Sequence, residues 1–137
     1  MMTYLKKITA TLAFASLSGM ALAAANPLSV HILDLQSGQP TAGVTVTLEQ
    51  KQGTDWKQLS SAVTNAQGRI AAMYPAGTPM QAGDYRIVFQ TGEHYARLKQ
   101  ETFFPEIPVQ FHVEKTDQHY HIPLLLSPFG FSTYRGN

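Results

Sequence analysis

Short runs in which apolar and polar residues alternate dominate this chain and restrict its fold to β-structure. A period of two places one set of side chains on a buried face and the other on an exposed face, as in a half-buried strand. Four runs show the pattern clearly, with apolar positions Val44, Val46 and Leu48; Tyr85, Ile87 and Phe89; Val109, Phe111 and Val113; and Tyr120, Ile122, Leu124 and Leu126. Residues 28–35 form a less regular strand, and residues 56–63 and 69–73 are shorter candidates.

Clusters of turn-forming residues separate these runs. Residues 37–40, 52–55, 65–68 and 75–79 are rich in Gly, Pro, Asn, Asp, Ser and Thr. Seven or eight short strands at this spacing predict an all-β antiparallel sandwich. Residues 92–101, with apolar positions three apart, indicate one short helix.

The last nineteen residues are unusual for a chain end, because termini are mostly polar and frayed. Residues 119–137 read as two strands joined by a turn, and aromatic or charged residues continue almost to the last position. We therefore expect the C-terminus to be held in place for a function.

The first 23 residues are predicted to be a secretory signal peptide. A pair of lysines at residues 6–7 precedes a short apolar stretch, and Ala21-Leu22-Ala23 supplies a small-x-small cleavage signal. We expect cleavage after Ala23, with cleavage after Ala25 nearly as plausible, and export of residues 24–137 as one domain to the periplasm. No later stretch approaches the roughly 18 apolar residues of a spanning helix, so no membrane partner is predicted.

Charge and cysteine content exclude several function classes. Removal of the two N-terminal lysines leaves eight basic and nine acidic residues, and the formal charge changes from +1 to −1. Such a balance gives no basic surface for nucleic acid. Cysteine is absent, which excludes cysteine nucleophiles and thiolate metal sites. An exported domain without disulfides must be stabilised by its core, by oligomerisation, or by both.

His31 lies in the middle of the first strand, among apolar residues, and shares a face with Ser29 and Leu33. A histidine at such a position is more often a satisfied or surface residue than a catalytic one. Sequence alone leaves both interpretations open.

His119 and His121 point to one face of the penultimate strand, opposite its core face. Two imidazoles at this spacing can bind one Zn²⁺ or Cu²⁺, with His31 or Asp117 as a third ligand. The spacing is common by chance and no cysteine supports it, so no metal or other cofactor is predicted.

Arg69 follows the turn at residues 65–68 and opens the next strand. An arginine there is usually a solvated edge residue, but its planar guanidinium can also bind a carbonyl, carboxylate or oxyanion. Arg135 has the same two interpretations. The chain has no G-x-S-x-G elbow and no phosphate loop, so an enzyme of this sequence would use histidine, arginine and water.

Three blocks in order resemble the transthyretin-related proteins, specifically the 5-hydroxyisourate hydrolases. They are LSVHILD at residues 28–34, TNAQGR at residues 64–69, and HYHIPLLLSP at residues 119–128 continuing to STYRG at residues 132–136. The resemblance covers essentially all of residues 24–137. It implies a transthyretin-like sandwich of about eight antiparallel strands with one short helix, assembled as a homotetramer with active sites in a channel between dimers.

The resemblance also implies a reaction and a set of residues. The family opens 5-hydroxyisourate, an oxidised purine ring of urate degradation, to 2-oxo-4-hydroxy-4-carboxy-5-ureidoimidazoline. Its motifs place His31, Arg69 and His121 as catalytic residues, and His31, Arg69 and Tyr134 as substrate-binding residues. One imidazole would act as base, which suits an ordinary pKa of about 6.5. The division of roles between the two histidines stays open.

Asn137 departs from the family, which usually ends in Tyr-Arg-Gly-Ser. A serine hydroxyl beside the chain carboxylate is replaced by a larger amide. Because Tyr134 and Arg135 remain, we expect activity to be retained. The departure nevertheless leaves an alternative, a non-catalytic periplasmic module of the same fold that binds a small ligand. Vertebrate transthyretin, the hormone carrier of this fold, lacks the histidine and arginine set and the ending, which favours the hydrolase.

Overall fold

Eight strands and one helix form two four-stranded sheets in the computed structural model, which describes residues 25–137. The predicted signal peptide, residues 1–23, lies outside the described residues. The elements are β1 Leu28–Asp34, β2 Thr45–Gln52, β3 Asp55–Val63, β4 Arg69–Ile70, β5 Gly83–Phe89, α1 Thr91–Arg97, β6 Ile107–Val113, β7 Tyr120–Ser127 and β8 Gly130–Thr133. The all-β sandwich with one short helix is thus confirmed.

The sheets have the strand orders β4-β1-β7-β8 and β3-β2-β5-β6. Five of the six neighbouring strand pairs are antiparallel. The exception is β1 beside β7, which is parallel over the whole length of β1. The predicted antiparallel sandwich thus contains one parallel pair. Alternation reports which face a residue occupies but not strand direction, and strands so distant in sequence are joined by a crossover, which permits parallel pairing.

The core lies between the sheets and is built from the inward positions of the alternating strands. The β1–β7 sheet contributes Leu28, Val30, Ile32, Ile122, Leu124 and Leu126, and the opposite sheet contributes Val46, Leu48, Tyr85, Ile87 and Phe89. All of these side chains are at most 5% exposed. Because the odd-numbered residues of β1 and β7 cannot face this core, they lie on the outer face of their sheet.

Two elements end earlier than predicted. The strand expected at residues 69–73 has only two residues, although Met73 still donates its N–H to the carbonyl of Leu28 at 2.9 Å. The helix expected at residues 92–101 ends at Arg97. Lys99 adopts a positive φ of 54°, and the N–H of Gln100 bonds back to the carbonyl of Tyr95. This left-handed residue stops the helix, as at many helix C-termini.

The two terminal strands of the prediction, with a turn between them, are present as β7 and β8. No helix within residues 25–137 has the length and apolar content to cross a membrane.

Candidate active site

Three of the candidate residues lie together on the outer face of the β4-β1-β7-β8 sheet. His31 of β1 is directly opposite Arg69 of β4, and Ser29 of β1 is directly opposite His121 of β7. Facing residues on neighbouring strands have Cβ atoms about 4.5–5.5 Å apart. The two histidines and the arginine are therefore neighbours on one surface, although they come from three distant parts of the chain.

The turn before β4 sets the position of Arg69. The side-chain oxygen of Asn65 accepts the N–H groups of Gln67 at 3.0 Å and Arg69 at 2.9 Å. Gly68 has φ +71°, and a Cβ there would lie 2.5 Å from the carbonyl oxygen of Ile32. Only glycine fits this close approach to β1. The TNAQGR block thus has a structural reason: it turns the chain tightly so that Arg69 pairs with β1.

Ser29 links His121 of β7 with His119, the residue immediately before that strand. Its Oγ lies 2.7 Å from Nδ1 of His121 and 2.9 Å from Nε2 of His119. The other ring nitrogen of His119, Nδ1, lies 3.0 Å from the carbonyl oxygen of Asn26. The predicted shared face of His119 and His121 is confirmed by this common partner. Sequence reasoning missed the roles of Ser29 and Asn26; the position of Ser29, on the same face of β1 as His31, was the available signal.

The C-terminal segment returns to the site at Gly136. Its N–H donates to the carbonyl of His121 at 2.9 Å, and the two residues form an isolated antiparallel bridge. A Cβ on Gly136 would lie 2.4 Å from Cδ2 of His121, so the glycine backbone packs directly on the imidazole. The expectation that the chain end is held in place is confirmed at this residue.

Tyr134 and Arg135 are placed differently. Tyr134 is 57% exposed, and the side chain forms no hydrogen bond among the described residues, so its role in substrate binding stays a prediction. Arg135 stacks on the ring of Tyr120, with its guanidinium carbon 4.9 Å from the ring centre, and donates to Gln118 at 2.9 Å. The cation of Arg135 is thus engaged away from His31, and Arg69 is the arginine beside the imidazoles.

Burial and positive charge lower the pKa values of both site histidines. For His31, burial has the largest effect on the pKa, Arg69 lowers it further, and a hydrogen bond with the backbone of Gln67 opposes them. Burial also lowers the pKa of His121 the most, followed by Arg69 and the neighbouring imidazoles, while a hydrogen bond with the backbone of Ser29 opposes them. Both rings are therefore neutral at neutral pH, the state in which an imidazole accepts a proton.

An open hollow of about 440 Å³ adjoins this surface. It is bordered by Ser29, Arg69 and His119 together with small residues such as Ala71 and Ala72. Its size is within the range of small-molecule sites. The surface thus presents two neutral imidazoles and the Arg69 guanidinium, with an open hollow beside the arginine.

The alternative of a metal site at His119 and His121 finds little support in this geometry. Both ring nitrogens of His119 already have partners. Within residues 25–137, no group of three or more His, Cys, Asp or Glu side chains is placed to hold a metal ion.

Known proteins resemble this chain over nearly its full length. The family model described as HIUase/Transthyretin family matches residues 28–136. The 5-hydroxyisourate hydrolase of Salmonella typhi is 53% identical over 132 residues, covering 94% of this chain and 95% of that protein. The structure of Klebsiella pneumoniae 5-hydroxyisourate hydrolase has a TM-score of 0.71 and 40% identity, covering 82% of this chain and 94% of that one.

Sea bream transthyretin in complex with thyroxine is also similar, with a TM-score of 0.75 and 32% identity over 80% of this chain and 94% of that one. The fold is thus shared between proteins named as hydrolases and a protein solved with a bound hormone. The extent of the family match and the identity to these relatives show that this chain belongs to the HIUase/Transthyretin family.

Proposed function

We propose that this chain hydrolyses 5-hydroxyisourate to 2-oxo-4-hydroxy-4-carboxy-5-ureidoimidazoline, a step of urate degradation, without a metal or other cofactor. The observation that carries the proposal is the meeting of His31, Arg69 and His121 on one outer sheet face. Relatives at 53% and 40% identity bear the name of this hydrolase, which supports the same assignment.

The chemistry follows from the groups present. One neutral imidazole removes a proton from water as the water oxygen bonds to the substrate carbonyl carbon. The guanidinium of Arg69 stabilises the negative charge that develops on the carbonyl oxygen. The carbon–nitrogen bond of the ring then breaks, and the leaving nitrogen receives a proton from an imidazolium. General acid–base catalysis of this kind typically contributes about 10²–10⁴ in rate.

A non-catalytic binding module is the competing function. Sea bream transthyretin was solved in complex with thyroxine, so the fold supports ligand binding without requiring catalysis, and Asn137 departs from the usual serine ending. Two neutral imidazoles beside a guanidinium favour hydrolysis, because binding of a flat ligand does not require a base.

The absorbance of freshly prepared 5-hydroxyisourate, followed with and without protein, separates the two functions. We expect accelerated decay with the wild-type protein and little acceleration with His31→Ala. The matched control is His112→Ala, because His112 lies on the other sheet, with a 65% exposed side chain, and pairs with Asp84 alone among residues 25–137. Binding of the substrate without accelerated decay would establish the module instead.

We also propose that the site works within a homotetramer. The hollow beside Arg69 is open to solvent in one chain, so a second copy is needed to enclose a ligand. The edge strand β8 leaves backbone groups for pairing, and Phe129 beside it is 69% exposed. Light scattering on active protein should give the mass of four chains. A fully active monomer would contradict the proposal.

Export to the periplasm is the third part of the proposal. It rests on the lysine pair, the apolar stretch and the Ala21-Leu22-Ala23 signal. The Salmonella relative aligns with 94% of this chain, more than residues 24–137 alone provide, so it shares part of the N-terminal segment. The mass of protein recovered from a periplasmic extract should correspond to a chain that begins at Ala24. An intact N-terminus in the cytoplasm would refute export.

A further inference from the structure

Hydrogen bonds join the carbonyl of Asn26 to His119, His119 to Ser29, and Ser29 to His121. The carbonyl of Asn26 determines which group donates and which accepts in each of them. A carbonyl oxygen only accepts hydrogen bonds. Nδ1 of His119, 3.0 Å away, must therefore carry a proton. Asn26 is held in position because its side-chain NH2 donates to the carbonyl of Tyr74 at 2.7 Å and its Oδ1 accepts the N–H of Tyr74 at 3.1 Å.

The proton on Nδ1 of His119 in turn assigns donor and acceptor in the two hydrogen bonds of Ser29. In a neutral His119 with its proton on Nδ1, Nε2 is bare and can only accept. The Ser29 hydroxyl, 2.9 Å away, must then donate its single proton to that nitrogen. Oγ of Ser29 has only lone pairs left for His121, whose Nδ1 lies at 2.7 Å. Nδ1 of His121 must therefore be the donor of this last bond.

We propose that His119, acting through Ser29, is a positioning residue that holds His121 as the Nδ1–H tautomer, with Nε2 bare and available as the general base. The inference rests on the proposed function and assigns the role of base that sequence left divided between two histidines. The tautomer of His121 matters because a neutral imidazole with its proton on the wrong nitrogen presents a donor where the reaction needs an acceptor.

The surroundings of His121 leave its ring little freedom to escape this arrangement. The residue is only 9% exposed, Ser29 holds the Nδ1 edge, and Gly136 packs against Cδ2 on the opposite edge. A flip of the ring would exchange these edges and lose the bond to Ser29. Nε2 has no hydrogen-bond partner among the described residues and is not a buried unpaired atom, which is the state a base has before substrate arrives.

A reversed network is possible only when both nitrogens of His119 carry protons. His119 would then donate to Ser29, the hydroxyl would donate to Nδ1 of His121, and Nε2 of His121 would hold the proton. Neutral His119 is thus required for a competent base.

Ser29 as a nucleophile is the competing interpretation, because a hydroxyl within hydrogen-bond distance of an imidazole is typical of such residues. A nucleophile would form an acyl adduct with the ring-opened substrate, which rapid quenching and mass spectrometry detect as added mass. The positioning role predicts no adduct, and an adduct on Ser29 would overturn it.

The direct test is the tautomer of His121, read from the ¹⁵N shifts and ring couplings of labelled, substrate-free mature protein. The measurement is made well above the ordinary imidazole pKa of about 6.5. We expect Nδ1–H in the wild type and a mixture, or Nε2–H, in His119→Ala. Nε2–H in the wild type, or Nδ1–H unchanged in the variant, would overturn the inference.

Kinetics supply the second readout. His119→Ala should lower kcat by about tenfold or more; the about 10⁴-fold cost of a wrong tautomer in serine proteases is an upper bound. Ser29→Ala should behave alike, Ser29→Thr should restore much of the rate because it keeps the hydroxyl, and His112→Ala should match the wild type. Wild-type kcat in His119→Ala would contradict the role.

These measurements separate two failures. A wild-type protein without hydrolytic activity refutes the proposed function. The tautomer of His121 in substrate-free protein then still tests whether His119, acting through Ser29, places the proton on Nδ1. An active wild type with Nε2–H on His121 refutes the positioning role alone.

Discussion

Replacing Gly136 with alanine tests how closely the C-terminal segment determines the position of the proposed base. The new Cβ would lie 2.4 Å from Cδ2 of His121 and 3.1 Å from Cγ of Pro123. Ordinary carbon contacts begin near 3.4–4.0 Å, so the imidazole and residue 136 must separate by about 1 Å. Pro123 stands close enough to hinder an easy sideways adjustment.

A shift of this size is large for a catalytic group, since a 1 Å misplacement can cost about 10²-fold in rate. We therefore expect Gly136→Ala to lower kcat/KM for 5-hydroxyisourate by about 10²-fold. If instead the chain end detaches, the variant loses the hydrogen bond from residue 136 to the His121 carbonyl, and the free energy of unfolding should fall by about 0.5–1.5 kcal/mol.

The assay is the initial rate of absorbance decay, with urea unfolding measured on the same samples. Gly130→Ala is the matched control, because its Cβ would meet only Ser127 Oγ, at 3.7 Å, in the same part of the chain. A Gly136→Ala variant with both wild-type kcat/KM and wild-type stability would refute the reasoning, since one of the two changes must follow from the clash.

Four further predictions concern the site and the core. Arg69→Lys keeps the charge but not the planar fork of donors, so kcat should fall by at least about tenfold, whereas Arg86→Lys on the other sheet should not change it; equal rates for Arg69→Lys and wild type would reject the oxyanion role. Arg69 lowers the pKa of His121, and a base must be unprotonated to act. The acidic limb of the pH profile of kcat/KM should therefore move to higher pH in Arg69→Gln, and an unmoved limb would argue against His121 as base. The folded-state pKa values of His31 and His121 lie below the ordinary value of about 6.5, so the unfolded chain binds more protons below about pH 6.5. The free energy of unfolding, measured with urea, should therefore fall as the pH drops from about 6.5 through the folded-state pKa values, and should not change with these histidines above about pH 6.5. Leu124→Ala empties a fully buried position and should lower the free energy of unfolding by about 2–5 kcal/mol, and a loss below about 1 kcal/mol would contradict the assigned core.

Much of the fold was predictable because strand periodicity is a local property. Residues two apart on a strand share a face whatever the rest of the chain does, so the inward set of β7 and the common outward face of His119 and His121 could be read directly. The turn before Arg69 was equally local. The resemblance to known blocks then supplied the candidate site residues, although not their contacts.

What sequence alone determined is thus which residues form strands and which face each side chain takes. The tertiary structure decided which strands are neighbours, in which direction and in what register. Burial of two apolar faces selects the β4-β1-β7 order, and that order places His31 against Arg69, puts Ser29 between two imidazoles, and makes β1 parallel to β7. Pairing between distant strands depends on how the whole core packs, and no local pattern of residues contains that information.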